Sequence, residues 1–123
     1  MGERRVKQDE HQAQAALFRW AELQRRRLPE LNLLFAIPNG GFRNKATAGR
    51  LKAEGVKAGV PDICLPVARG EFHGLFIEMK AGRNKPTQSQ VAWHYHLSQQ
   101  GYKVAVCYGF EPAIELIEGY LRG

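Results

Sequence analysis

Apolar and polar positions along this chain alternate in stretches whose spacing separates helices from strands. Over residues 9–27, Ala13, Ala16, Leu17, Trp20 and Leu23 recur at helical spacing. Asp9 and Glu10 open that stretch and Arg25, Arg26 and Arg27 close it, the charge order a helix dipole favours. Pro29 then ends the helix. Residues 33–37 make a short apolar run, read as a buried strand, before Pro38-Asn39-Gly40-Gly41 breaks regular structure. A short helix follows over residues 45–54, stopped by Gly55. Strands are predicted over 63–67 and 75–80, joined through 69–74, a connection of hairpin length. The polar segment 81–86 leads into a helix over 87–100 that Gly101 closes. Residues 103–108, rich in β-branched side chains, form a fourth strand, and 111–121 a last helix. The order α, β, α, β, β, α, β, α predicts an α/β fold, one mixed sheet covered by helices.

No repeat, low-complexity segment or composition shift divides the chain, so residues 1–123 are read as a single domain, with polar residues 1–8 frayed. Apolar residues make up 44%, enough for one modest core. A domain this small leaves much of its surface in water, which makes a homodimer physically favourable. The formal charge of +6, from 18 Lys and Arg against 12 Asp and Glu, suits a polyanionic partner such as nucleic acid. It equally suits a basic soluble protein without one. Cys64 and Cys107 each sit inside an apolar run, which predicts reduced, buried thiols and a cytoplasmic chain. No signal peptide or apolar run of membrane-spanning length is present, which predicts no membrane partner.

The chemistry concentrates in two short segments. In Ile77-Glu78-Met79-Lys80, strand alternation puts Glu78 and Lys80 on one face and Ile77 and Met79 on the other. Burying an acid and a base at the end of an apolar strand is costly and unnecessary for packing. Upstream, Gly59-Val60-Pro61-Asp62 brings a second acid to the start of a strand. Phosphodiester hydrolysis needs a positioned, activated water and relief of negative charge on phosphorus, which divalent cations supply. Mg²⁺ takes hard oxygen ligands and keeps several waters, so Asp62, Glu78 and the Met79 backbone carbonyl suffice as a site. Lys80 can orient the water and stabilise the charged transition state. Taken alone, an E-x-K on a strand is more often a surface ion pair.

Other residues add to the pattern. Gln90 and Trp93, three apart, share a face of the helix that follows, where Gln90 can reach a phosphate or a metal-bound water. Lys85, Thr87 and that helix N-terminus can make a phosphate-binding corner, or the lysine is simply solvated charge. Arg43, Lys45, Arg50, Lys52 and Lys57 can grip phosphates on either side of a cut, or form a solvated helix face. His94 and His96 are two apart and point in different directions, which argues against histidine-centred chemistry. His11 adjoins Glu10, and His73 falls in a turn. The cysteines and hydroxyls have no evident base.

In order and spacing, G-V-P-D, I-E-M-K and K-x-T-x-x-Q-x-x-W-H resemble the VRR-NUC family of the PD-(D/E)xK nuclease superfamily, over about residues 10–110. The Ile37-Pro38-Asn39-Gly40-Gly41 loop and the start of the first helix resemble its stand-alone phage and bacterial members. The resemblance implies a restriction-endonuclease-like core with Asp62, Glu78 and Lys80 as the catalytic set and Gln90 beside them. It implies an acid on the first helix that helps bind metal, with Glu10 the best match and Asp9 its neighbour. Asn39 would border the site or simply shape a turn. The implied activity is a Mg²⁺-dependent endonuclease acting on intracellular DNA, with Mn²⁺ able to substitute. Small members resemble Holliday-junction resolvases, which implies a homodimer cutting branched DNA. Rival readings are a flap, single-strand or duplex nuclease, a non-catalytic module binding branched nucleic acid, and an α/β protein with an incidental ion pair.

Overall fold

A computed structural model describes residues 2–38 and 44–123. The first helix, α1, runs Gly2–Gln24 and so carries helical backbone through the segment expected to be frayed. A 3₁₀ helix, Pro29–Leu33, takes over part of the predicted first strand. There the Asn32 side chain donates to the Pro29 carbonyl at 2.9 Å, and the Leu34 N–H donates to the Leu31 carbonyl. Those local bonds compete with a ladder. Strand β1 therefore shrinks to Phe35–Ala36, and it is an exposed edge, with Phe35 47% accessible, where the sequence predicted a buried strand.

Helix α2, Lys45–Ala53, follows, then β2, Ile63–Leu65, cut short by Pro66, and β3, Leu75–Lys80. Helix α3 spans Gln88–Gln99, β4 Lys103–Tyr108 and α4 Phe110–Arg122. The four strands pair in chain order as one mixed sheet: β1, β2 and β3 antiparallel, β3 and β4 parallel. The α/β reading holds, with α3 as the crossover that parallel neighbours require.

Alternation along β3 sorts the two sides of the sheet. Leu75, Ile77 and Met79 join Ile63 and Leu65 in a core that α1 fills with Leu17 and Ala21, and α4 with Ala113, Ile117 and Tyr120. On the other side Phe76 meets the Tyr102 ring edge-on, and Glu78 faces α3. Each fully buried aliphatic of this size contributes roughly 1.5–3 kcal/mol. The core thus fixes β3 firmly, and β3 is the strand that carries the chemistry. Among the described residues, no helix is long and apolar enough to cross a membrane.

Candidate active site

The β2–β3 register aligns Ile63 with Ile77. Continued two residues outward, that register would set Pro61 opposite Met79, but β2 begins at Ile63 and Pro61 has no N–H for the Met79 carbonyl. The Met79 N–H instead donates to Asp62 Oδ2 at 2.7 Å. The carboxylate of Gly59-Val60-Pro61-Asp62 is thereby tied to the backbone of the E-x-K strand. Gly59 seats the same loop on α3. Its φ is +94°, and an added Cβ would stand 2.8 Å from the Ser89 carbonyl oxygen and 2.9 Å from Trp93 Cδ1. A side chain there would meet both backbone strain and backbone atoms.

Glu78 and Lys80 are both buried, at 1% and 5% accessibility. The two side chains share the α3 side of β3, so the incidental surface pair is excluded. Burial first, then repulsion from and a hydrogen bond with Asp62, push the Glu78 carboxyl up to about 9. The Lys80 ammonium pulls the other way, and Glu10 adds to the rise. Without a cation the acidic pair therefore shares a proton near neutral pH.

Helix α3 holds Glu78 through two side chains one turn apart. Gln90 Nε2 donates to Glu78 Oε2 at 3.1 Å, and His94 Nε2 lies 3.3 Å from Glu78 Oε1. The Gln90 amide is oriented by a capping box: its Oε1 accepts the Thr87 N–H at 2.8 Å, while the Gln90 N–H donates to Thr87 Oγ1. With the oxygen so engaged, the NH₂ group must face Glu78. His94 is lowered from its usual value by burial and by Lys80, with Asp62 opposing. Its contact with Glu78 is therefore a hydrogen bond between uncharged groups at neutral pH.

Glu10 reaches this end of the sheet from α1. Its Oε2 accepts from Asn84 Nδ2 at 3.1 Å, and the Asn84 carbonyl accepts the Tyr108 hydroxyl at 2.8 Å. The chain thus gathers Asp62, Glu78, Lys80, Gln90 and the Met79 backbone, with Glu10 near enough to act on Glu78. Thr87 is exposed and caps α3, its hydroxyl and amide bonded to Gln90. Lys85 is exposed beside it, and Lys45 and Arg50 lie on α2, none of whose residues is buried. Asn39 and Arg43 fall outside the described residues.

His94 closes the K-x-T-x-x-Q-x-x-W-H motif, but its two-residue step to His96 hides its place at the site. The usable signal was its spacing of four from Gln90, which puts both on one helical face. Asn84 and Tyr108 had no such signal, since their contacts join distant segments.

The donor set suits a hard cation: two carboxyls, one kept protonated chiefly by burial and then by the other, and no sulfur. Among the described residues no group of three or more His, Cys, Asp or Glu is arranged to enclose a metal by itself. A site here would thus be open, completed by water or substrate oxygens.

A model of the VRR-NUC domain matches residues 8–111, from before Glu10 to past β4. A solved structure described as a VRR_NUC domain protein is 30% identical, with a TM-score of 0.78, covering 93% of this chain and 88% of that one. No curated protein matches. With the motif acids brought to one end of the sheet and the family match running across nearly all of it, the chain belongs to the VRR-NUC family of nuclease domains.

Proposed function

We propose that this chain is a divalent-metal-dependent endodeoxyribonuclease that cuts branched DNA as a homodimer, in the manner of a Holliday-junction resolvase. The observation that carries the reading is buried Glu78 brought against half-buried Asp62, with buried Lys80 beside them at the end of β3. Asp62, Glu78, the Met79 carbonyl and Glu10 would hold Mg²⁺, or Mn²⁺ in its place. The bound ion supplies an activated water and neutralises charge on the phosphoryl group.

The protein's own residues do the rest. Asp62, fixed by the Met79 N–H, and Glu78, fixed by α3, keep their carboxyls together. Lys80 Nζ, nearly excluded from water, offers protons to a phosphoryl oxygen where low dielectric strengthens the interaction. Exposed Lys45, Arg50 and Lys85 bind phosphates to either side without reading bases.

The test is cleavage of labelled four-way junction, flap, single-stranded and linear duplex DNA with Mg²⁺, Mn²⁺ or EDTA, using wild type and Lys80→Ala. The expected result is symmetric, metal-dependent nicking of the junction that the variant loses while still binding DNA. Cutting of the other substrates alone would discard the junction role and keep the nuclease. Binding without cutting in either protein would favour a recruitment module. A strictly monomeric protein at working concentration would remove the paired cut.

A further inference from the structure

We propose that His94 is a positioning residue of the active site, which together with Gln90 holds the two oxygens of Glu78 in the orientation that receives the cation. This rests on the nuclease reading above. Gln90 Nε2 approaches Glu78 Oε2 and His94 Nε2 approaches Glu78 Oε1, so each oxygen has its own contact from α3. When Glu78 binds a cation as a carboxylate it can only accept, so both contacts become donations. Neutral imidazole meets that demand in the Nε2–H tautomer.

Three features make the hold rigid. The Gln90 amide is fixed by Thr87, the His94 side chain is only 16% accessible, and α3 is seated on the Asp62 loop at Gly59. Lys80 and Asp62 lie close enough to act on the His94 ring, which places it amid the catalytic set. Groups that orient metal ligands commonly matter about 10- to 100-fold in metal affinity.

The test compares wild type, His94→Gln and His94→Asn by calorimetric Mn²⁺ titration, with circular dichroism as the control for folding. A glutamine amide nitrogen reaches about as far as imidazole Nε2, whereas an asparagine amide stops near Nδ1. Expected is Mn²⁺ affinity about 10- to 100-fold weaker in His94→Asn and near wild type in His94→Gln, with cleavage following affinity. A merely space-filling role would not separate the two variants in this way. Undiminished affinity in His94→Asn, or equal loss in both variants, overturns the inference and leaves the nuclease reading standing. Wild type without measurable Mn²⁺ binding overturns the nuclease reading and this inference with it. Should His94→Asn fail to fold, ¹⁵N–¹H long-range correlation of the wild-type imidazoles with Mg²⁺ decides. A protonated Nε2 on His94 supports the role, and an Nδ1–H tautomer overturns it.

Discussion

The buried Glu78 carboxyl gives the chain a measurable signature that needs no substrate. Its value rises from 4.5 to about 9 on folding, because burial and Asp62 both penalise the charged form. Between those values the folded chain holds a proton that the unfolded chain has released. Stability from this group is therefore greatest below pH 4.5, falls as pH rises, and levels off above about 9. The slope approaches 1.36 kcal/mol per pH unit, so two units, from pH 5.5 to 7.5, amount to about 3 kcal/mol. For a domain of this length that corresponds to about 10 °C in Tm. Glu78→Gln keeps the shape and cannot titrate, so its Tm should lack this component. The assay is thermal unfolding of both proteins in EDTA across that range, followed by far-UV circular dichroism. The wild type should lose about 10 °C relative to the variant as pH rises. Two curves that run parallel would show that Glu78 is already ionised in the folded chain, and the account of a shared proton would fail. Saturating Mg²⁺ should remove most of the wild-type slope, since a cation makes the ionised form the favoured one in the fold.

Three other perturbations separate the parts of the site. Gly59→Ala must adopt a left-handed backbone and push against the Ser89 carbonyl, so urea unfolding should register a loss of about 2 kcal/mol or more; a loss under about 0.5 kcal/mol would mean that the loop is not seated on α3 as described. Thr87→Ala removes the helix cap, at about 1 kcal/mol of stability. The residue 87 backbone N–H that holds Gln90 Oε1 survives the change, so cleavage should fall only as far as the stability loss accounts for, and a larger drop would show that the Thr87 hydroxyl itself serves the site. Lys45→Ala and Arg50→Ala should each weaken DNA binding uniformly across sequences and lower the salt-dependence slope by about 1, read by fluorescence anisotropy. An unchanged slope would assign α2 to solvent.

What the sequence determined by itself was the set of elements and the short-range chemistry. Apolar patterning and proline and glycine punctuation are enough for α1, β3, α3, β4 and α4, since both act within a few residues along the chain. Strand alternation is enough to put Glu78 and Lys80 on one side, and a spacing of four is enough to put Gln90 and His94 on one helical face. The family's motif order, legible in the same residues, is borne out by the match over residues 8–111. Tertiary structure decided how those faces meet. Nothing local says that β1 would be a two-residue exposed edge, since the competing bonds of the 3₁₀ turn and the missing outer neighbour depend on where the chain packs. Nor does local sequence say that Asp62 would cap the Met79 N–H, or that Asn84, anchored by Tyr108, would take hold of Glu10. Those contacts join residues far apart along the chain, and their geometry exists only once the shared core has fixed the sheet. The high pKa of Glu78 is of the same kind: a carboxyl has an ordinary value in any short peptide, and only desolvation and a second acid brought in from the loop before β2 raise it here.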